Sequence, residues 1–387
     1  MIVMIPTPAR DPFYLPPADL AVRTPGEVLG SRRVRLAALG VLPLRVSAWQ
    51  LQHRTNNLDG LPEAGVTTVI EPSGRRSRGV LSFQCAIDAV SQRCLPSYAL
   101  RYGASAAGAL AQIELPLILA AVREGWTVSI PDHGGLDGRF GAAREPGYRA
   151  LDGVRAALDF TGPPDGEAAD TPVALWGYSG GGLATVWGAE VAGDYAPELS
   201  VIGSVAGAPV GDPAKAFLRL NGGPFAGFPA IFVAGLRRAY PDLNPVLDKH
   251  VHAGFQERIV DAEQRTTLSL LARFAGRDIR RSLHFDMPAL LAEPELARVL
   301  RDIRPGSTAP SAPLLIQQGS RDEVIDVADI DALVDRYRSV GADVDYQLVP
   351  HGWHLPLQFW TARSALTWLS DRLPAPTAPA LETSTGA

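Results

Sequence analysis

The sequence predicts an α/β fold in which a mostly parallel central sheet is flanked by helices. From about residue 107, short apolar strands alternate with helix-forming segments, and the same alternation returns after residue 307. Strands that are joined through helices are typical of parallel sheets. Between residues 212 and 306 the alternation stops, and several helical segments follow one another. We therefore expect a core of residues 1–211 and 307–373, into which residues 212–306 are inserted as a helical cap.

Three strands are predicted ahead of the alternating region. Residues 46–56 and 65–71 contain β-branched runs and alternate in polarity, and residues 56–60 supply turn-forming Asn, Asp and Gly. This arrangement predicts a hairpin. Residues 79–84 form the third predicted strand.

The remaining elements follow from apolar periodicity and segment length. The predicted strands are residues 126–131, 173–176, 201–206, 313–318 and 344–349. The predicted helices are residues 107–124, 148–160, 183–191, 213–220, 229–239, 245–260, 262–274, 294–301, 327–340 and 359–373. Residues 374–387 are rich in Pro, Ala and Thr, so this tail is expected to be disordered.

Composition excludes several functional classes. The net charge is −5 and no block is rich in Lys or Arg, which argues against a nucleic-acid-binding surface. No apolar stretch reaches the roughly 18 residues that suggest a membrane span. Residues 1–8 lack the basic and long apolar regions of a signal peptide, so we expect either a cytoplasmic protein or a processed form with a new start. Cys85 and Cys94 are too few for a disulfide scaffold, and they either pair with each other or remain separate thiols.

A Gly-x-Ser-x-Gly motif marks a candidate nucleophile. It consists of Gly177, Tyr178, Ser179, Gly180 and Gly181. The pattern alone is weak, because chance gives roughly 0.2 matches in so glycine-rich a chain. Its context is favourable, because an apolar strand precedes the motif and a helix-forming segment follows it, as a nucleophile elbow requires.

The glycines of the motif have distinct expected roles. Gly177 and Gly181 leave room where the strand and the helix crowd together. The backbone N–H of Gly180 lies at the helix N-terminus, where it can bind an oxyanion.

The acid and base that a serine nucleophile needs are expected at the ends of later strands. Asp322 follows the strand at 313–318, and His354 follows the strand at 344–349. With a nucleophile elbow, the order along the chain is serine, acid, histidine. A serine hydroxyl attacks only when a base removes its proton, and a carboxylate fixes the tautomer of that base. We therefore expect Ser179, Asp322 and His354 to form a catalytic triad.

Alternatives remain for both partners. His351 is the alternative base, and Glu323 and Asp326 compete with Asp322 for the acid. His354 is preferred because it lies two residues beyond the flexible Gly352, before the last helix.

Metal binding is not expected. His351 and His354 are spaced as on a helix, but Pro350 and Gly352 argue against a helix there, and no third ligand is near. The other histidines are either a weak pair in the cap or structural and surface residues: His250 and His252, then His53, His133 and His284. No cofactor is expected.

With these residues placed, the sequence resembles the secretory lipase family, which includes fungal lipase A and belongs to the α/β-hydrolase superfamily. The resemblance runs from about Asp11 to Leu373. The segments that carry it are residues 11–17, 82–88, 94–98, 131–135, 147–156 and 319–325, together with the segment that ends in His354. It implies an α/β-hydrolase fold and a triad of Ser179, Asp322 and His354. It also implies an oxyanion hole made by the backbone N–H groups of Asp88 and Gly180.

The resemblance further implies a carboxylic ester hydrolase that acts on small esters or acylglycerols through an acyl-enzyme. A serine peptidase or an acyltransferase with the same triad is the alternative. Transient contact with a lipid interface fits this activity. An apolar acyl pocket is expected in the cap, although most of its apolar residues should simply pack: Phe217, Leu218, Phe225, Phe228, Ile231, Phe232, Leu268, Leu270, Leu271 and Phe274.

This chain departs from the family in two respects. Relatives usually carry a signal peptide and are often secreted. The cysteine that matches Cys94 often pairs with a cysteine of the cap, whereas this sequence has no cysteine after Cys94.

Overall fold

The computed structural model describes residues 4–162 and 170–374. The predicted disordered tail therefore lies outside the described residues, apart from Pro374. The strands are β1 (Val28–Arg33), β2 (Ala37–Ala38), β3 (Leu42–Pro43), β4 (Ser47–Asn56), β5 (Pro62–Glu71), β6 (Val80–Gln84), β7 (Thr127–Pro131), β8 (Val173–Tyr178), β9 (Val201–Gly207), β10 (Leu314–Gly319) and β11 (Val344–Val349).

The predicted mostly parallel sheet is confirmed. Nine strands form one sheet in the order β1-β4-β5-β7-β6-β8-β9-β10-β11, and β2 pairs with β3 separately. All neighbours from β7 to β11 are parallel. The pairs at the other edge are antiparallel, including the predicted hairpin of β4 and β5. The carboxyl ends of the central strands thus meet along one edge, where catalytic residues of open α/β sheets gather.

The helices are α1 (Pro96–Ala99), α2 (Ala111–Glu124), α3 (Glu145–Thr161), α4 (Gly180–Tyr195), α5 (Pro213–Leu220), α6 (Gly227–Ala239), α7 (Leu243–His250), α8 (Ala253–Ala262), α9 (Thr267–Phe274), α10 (Met287–Leu291), α11 (Pro294–Asp302), α12 (Val327–Ser339) and α13 (His354–Ser370). Helices α3, α4 and α12 pack on one face of the sheet, and α2 and α13 pack on the other.

Residues 212–306, all of which are described, form α5 to α11 and no strand. They have a hydrophobic cluster of their own, in which Ile231, Leu270 and Phe274 are buried. Val90 is the only buried member of this cluster that comes from elsewhere in the described chain. Other apolar residues of the segment, such as Leu236 and Val299, pack against core residues in a second cluster, so the segment has both an interior of its own and a contact with the core.

Several predicted helix boundaries were wrong, and three of these differences bear on the cap or on the site. The helix expected at 245–260 is broken into α7 and α8, because Val251 forms a β-bridge with Leu283. Helix α9 begins at Thr267 rather than at residue 262. Helix α13 begins at His354 itself rather than at residue 359, so His354 is the first residue of that helix and does not precede it. Pro356 is compatible with this start, because the first turn of a helix needs no N–H donors.

Helices α3 and α4 cross at a point where no side chain fits. A Cβ on Gly147 would lie 2.7 Å from the backbone carbonyl of Trp187. This distance is shorter than van der Waals contact, so a side chain at Gly147 would force the backbones of the two helices apart.

We predict that Gly147→Ala lowers the free energy of unfolding by about 1–3 kcal/mol, although alanine is the better helix former. Urea unfolding followed by tryptophan fluorescence measures this change. Gly254→Ala in α8 is the matched control, because no atom lies within 4 Å of a Cβ at that position. Equal effects of the two substitutions would contradict the close crossing.

Candidate active site

Ser179 occupies a sharp turn between β8 and α4. Its φ of 54° lies in a region that non-glycine residues rarely adopt. The turn is held by hydrogen bonds on both sides: the Ser179 N–H donates to Gly207 O at 2.8 Å, and the Leu183 N–H donates to Ser179 O at 2.9 Å. The hydroxyl is thereby presented at the carboxyl edge of the sheet, which is the geometry of a nucleophile elbow.

The glycines of the motif sit where a side chain would collide with backbone. A Cβ on Gly177 would overlap the carbonyl oxygen of Gly181, and a Cβ on Gly181 would overlap that of Gln84. Tyr178 contributes through its side chain, because its hydroxyl donates to the backbone oxygen of His354 at 2.5 Å. The motif thus fixes the turn and also contacts the segment that carries the histidine.

Ser179, His354 and Asp322 form one hydrogen-bonded line. His354 Nε2 lies 2.9 Å from Ser179 Oγ, and His354 Nδ1 lies 2.8 Å from Asp322 Oδ2. The other oxygen of Asp322 accepts the backbone N–H groups of Val324 and Ile325 at 2.9 and 2.7 Å. Because the carboxylate can only accept, Nδ1 carries the proton and Nε2 is left to accept from the serine.

The alternative acid and base residues lie elsewhere. Glu323 accepts the backbone N–H of His354 at 3.0 Å, so its carboxylate holds the main chain and not the imidazole. Asp326 caps α12 by accepting the N–H of Ala328. His351 is exposed, and its backbone N–H donates to Ser320 Oγ at 2.9 Å. Of the two neighbouring histidines, only His354 contacts Ser179.

Asp88 lies across from the serine in the loop that follows β6. It is buried and has a positive φ of 38°. Its carboxyl packs against Gly180, where a Cβ would overlap Asp88 Oδ1. Burial raises the pKa of Asp88 to about 7, although the nearby His354 and the backbone N–H of Asp88 itself lower it.

Two buried side chains hold this loop from the core. Glu114 of α2 accepts the N–H of Ala86 at 2.8 Å, and His133 Nε2 donates to Cys85 O at 2.7 Å. Burial raises the pKa of Glu114 well above its ordinary value and lowers that of His133 to about 4, so both are neutral. The sequence analysis did not predict that Glu114 holds this loop. A carboxyl on the apolar face of a helix was the signal that could have indicated such a buried role.

An apolar cavity of about 60 Å³ lies above Ser179. Asp88 and Gly180 line it together with the serine, and apolar side chains from the core and from α5 and α6 complete it. These apolar residues are Phe140, Leu183, Val210, Pro213, Ala216, Phe217, Leu220, Phe228, Pro229, Phe232, Val324 and Ile325. Of the cap residues expected at an acyl pocket, Phe217, Phe228 and Phe232 therefore reach the site.

Several other residues with predicted roles are also accounted for. Within the described ranges, no group of three or more His, Cys, Asp or Glu side chains is arranged to hold a metal ion. Cys85 and Cys94 are separate buried thiols. Thr267 of α9 faces Cys94 at 3.9 Å and donates to Ile87 O, so a threonine links the cap to this loop.

No helix among the described residues combines the length and apolar character needed to cross a bilayer.

Comparison with known proteins places the chain in a family. A model of the secretory lipase family matches residues 100–380. A "probable inactive lipase" of Mycobacterium tuberculosis is 47% identical over 368 residues, which cover 94% of this chain and 82% of that protein. A secreted triacylglycerol lipase of Malassezia globosa is 31% identical over 373 residues, which cover 95% of this chain and 81% of that protein.

Solved structures give the same result for the fold. The crystal structure of Candida antarctica lipase A matches with a TM-score of 0.86 and 27% identity, and the match covers 97% of this chain and 89% of that chain. The α/β-hydrolase fold that the sequence predicted is thereby confirmed.

The neutral state of Glu114 leads to a prediction about stability and pH. The unfolded chain ionises this carboxyl near its ordinary pKa of 4.5, whereas the fold keeps it protonated. Rising pH therefore favours the unfolded chain and lowers the free energy of unfolding. Glu114→Gln keeps the acceptor for Ala86 but cannot ionise. We predict that its advantage in thermal unfolding midpoint over the wild type grows as the pH rises above about 4.5.

The control for this experiment is Glu257→Gln, on the exposed face of α8. It should follow the wild type across the same pH range. If Glu114→Gln did the same, the carboxyl would not be neutral in the fold.

Proposed function

The chain belongs to the secretory lipase family and is a carboxylic ester hydrolase, and we propose that it acts through an acyl-enzyme formed on Ser179. The hydrogen-bonded line from Asp322 through His354 to Ser179 is the observation that carries this proposal. A relative with 47% identity is described as a probable inactive lipase, but in this chain the imidazole of His354 lies within hydrogen-bond distance of both Ser179 and Asp322. That arrangement supports an active enzyme.

In the first half of the proposed reaction, Ser179 Oγ attacks the carbonyl carbon of the ester while His354 Nε2 takes its proton. The carbonyl oxygen becomes an oxyanion. His354 then returns the proton to the alcohol oxygen as the C–O bond breaks, and the acyl group stays on Ser179. Asp322 remains ionised and stabilises the imidazolium.

In the second half, a water molecule replaces the alcohol. His354 takes one of its protons, the oxygen attacks the acyl carbon, and the proton passes to Ser179 Oγ as the acid leaves. The same geometry thus serves both half-reactions.

We further propose that the backbone N–H groups of Gly180 and Asp88 bind the oxyanion. Gly180 begins α4, where the helix dipole favours negative charge. Asp88 lines the same cavity from the loop after β6, the usual source of the second donor in this fold. Loss of one such donor in comparable sites costs on the order of 10²–10³ in rate.

Residues 212–306 are proposed to act as a cap over this site. Helices α5 and α6 cover Ser179 with apolar side chains, which favours apolar acyl groups. Ligand pockets usually have roughly 300–1,000 Å³, whereas this cavity has about 60 Å³. A long acyl chain therefore extends beyond this partly open cavity unless the cap helices move apart.

The central prediction concerns the nucleophile. We expect the wild type to hydrolyse p-nitrophenyl esters in a series from acetate to palmitate, and Ser179→Ala to lose the serine-dependent rate, a factor of about 10⁶. Ser320→Ala is the control, because the hydroxyl of this exposed serine hydrogen-bonds only the backbone N–H of His351 among the described residues. Full activity in Ser179→Ala would overturn the proposal. A wild type that cleaves peptides but no ester would favour a peptidase.

A second prediction separates the two aspartates of the loop after β10. Asp322→Asn preserves the shape of the side chain but stabilises the wrong tautomer of His354, so kcat should fall by about 10⁴. Asp326→Asn retains an N-cap residue for α12 and should stay within about threefold of the wild type. Steady-state kinetics on one p-nitrophenyl ester measure both. A larger loss in Asp326→Asn than in Asp322→Asn would show that the acid was assigned to the wrong residue.

A further inference from the structure

A polar cavity of about 420 Å³ lies between the N-terminal segment, the loop at residues 85–94 that follows β6, and the cap. It shares no lining residue with the cavity above Ser179, although the loop contributes to both. The short 3-10 helix Pro8–Arg10 packs against Gln92–Cys94 of this loop, so the two segments meet at the cavity. The cavity is therefore separate from the site of the proposed reaction, and it has room for a small ligand.

Three guanidinium groups line this cavity, each from a different segment. They belong to Arg10, to Arg93 of the loop and to Arg238 of α6. Among the described residues that line the cavity, Glu263 is the only one with a carboxylate, and it accepts from Arg238 at 2.5 Å. Arg238 also donates to the backbone oxygen of Asp137 at 2.7 Å. The charge of Arg238 is thus compensated, whereas the charges of Arg10 and Arg93 are not.

No carboxylate of the described residues forms an ion pair with Arg10 or Arg93. Of the acidic residues that adjoin the lining residues in the chain, Asp88 lines the cavity above Ser179 instead, and the others pair with arginines outside this cavity. These pairs are Asp11 with Arg32 and Arg101, Asp137 with Arg139, and Asp261 with Arg265 and Arg273. Two uncompensated positive charges therefore line one cavity of a chain whose net charge is −5. They repel each other unless an anion lies between them.

We propose that this cavity is a binding site for a phosphate group, held between the guanidinium groups of Arg10 and Arg93. A guanidinium presents its N–H groups as a planar fork that matches two oxygens of a phosphate. A phosphate has oxygens for both forks and up to two negative charges, whereas a carboxylate has two oxygens and one charge. Inorganic phosphate and the phosphate of a lipid headgroup share this chemistry. Binding of phosphate here is independent of the proposed ester hydrolysis.

The proposed site joins the core to the cap. Arg10 and Arg93 belong to the core, whereas Arg238 and Glu263 belong to the cap segment 212–306. A ligand that binds only the folded chain stabilises it, so phosphate should raise the thermal unfolding midpoint. Phosphate also stabilises proteins without binding to a site, because it is excluded from their surfaces. The part of the rise that depends on Arg10 and Arg93 is therefore the part that reports this site.

The test is isothermal titration calorimetry of the full chain with inorganic phosphate at about pH 8, where phosphate is mostly dianionic. We expect saturable binding with a Kd of about 1 mM or tighter. Arg10→Gln and Arg93→Gln each remove one fork and should weaken binding by about 10–100-fold. Arg258→Gln is the matched control, because this exposed arginine of α8 also has no ion-pair partner among the described residues but lies outside the cavity.

Vesicle sedimentation identifies the source of the phosphate. It is measured in the Ser179→Ala background, so that the lipid is not cleaved, with phosphatidylcholine vesicles that contain or lack phosphatidic acid. Sedimentation that requires phosphatidic acid and is lost in both Arg10→Gln and Arg93→Gln identifies a lipid headgroup as the ligand. Calorimetric binding of inorganic phosphate without such sedimentation identifies free phosphate.

Three results would overturn the site. They are the absence of saturable binding up to about 10 mM phosphate, an affinity that neither Arg10→Gln nor Arg93→Gln lowers, and tighter binding of butyrate than of phosphate. Far-UV circular dichroism and the thermal unfolding midpoint in phosphate-free buffer report whether each variant is folded. A wild type that hydrolyses no ester would overturn the proposed function and leave this site unaffected.

Discussion

The turn at Ser179 leaves no room for side chains around it, and the surrounding architecture follows from that restriction. A residue held at such dihedral angles costs of order 1–3 kcal/mol and persists only where its surroundings over-determine it. Here β8 is buried along its whole length between β6 and β9, and α4 is buried from Gly180 to Ala192. A helix that is apolar all round is typical of a protein interior. The strained turn is therefore held in place by the buried strand before it and by the buried helix after it.

The parallel order of the strands brings the acid and the base to the edge of the sheet where the serine lies. Because β8, β9, β10 and β11 are parallel neighbours, the loops that leave β10 and β11 lie at the edge where Ser179 is exposed. Asp322 is fixed there by two backbone N–H groups, and His354 by contacts to its main chain from Glu323 and Tyr178. The imidazole is thus oriented by contacts to the backbone of His354 as well as by the hydrogen bond from its ring to Asp322. Substitutions of the residues that hold this backbone can therefore still disturb the hydrogen bond between His354 and Ser179.

Much of this site could be predicted from the sequence because it depends on local signals. The elbow appears as strand, glycine-rich turn and helix, and Asp322 and His354 each follow an apolar strand. The start of α13 at His354 was missed because Leu355-Pro356 interrupts helical periodicity, although proline is tolerated in a first turn. The break between α7 and α8 depends on a bridge from Val251 to the distant Leu283, which no local pattern reveals. Asp88 was reached only through resemblance to a family, because a lone aspartate after a strand has no distinctive chemistry.

The loop at residues 85–94 contacts both the core and the cap. In the proposed reaction the core stays in place, whereas the cap moves to admit substrate. From the core, Glu114 and His133 hold its backbone through neutral, buried hydrogen bonds that do not change with pH near neutrality. From the cap, Thr267 contacts Ile87 O, and Val90 joins the cluster of the cap helices. A movement of the cap that admits substrate would release the second set of contacts and leave the first. The oxyanion donors can therefore stay in place while the cap above them opens, because their anchors belong to the sheet and α2.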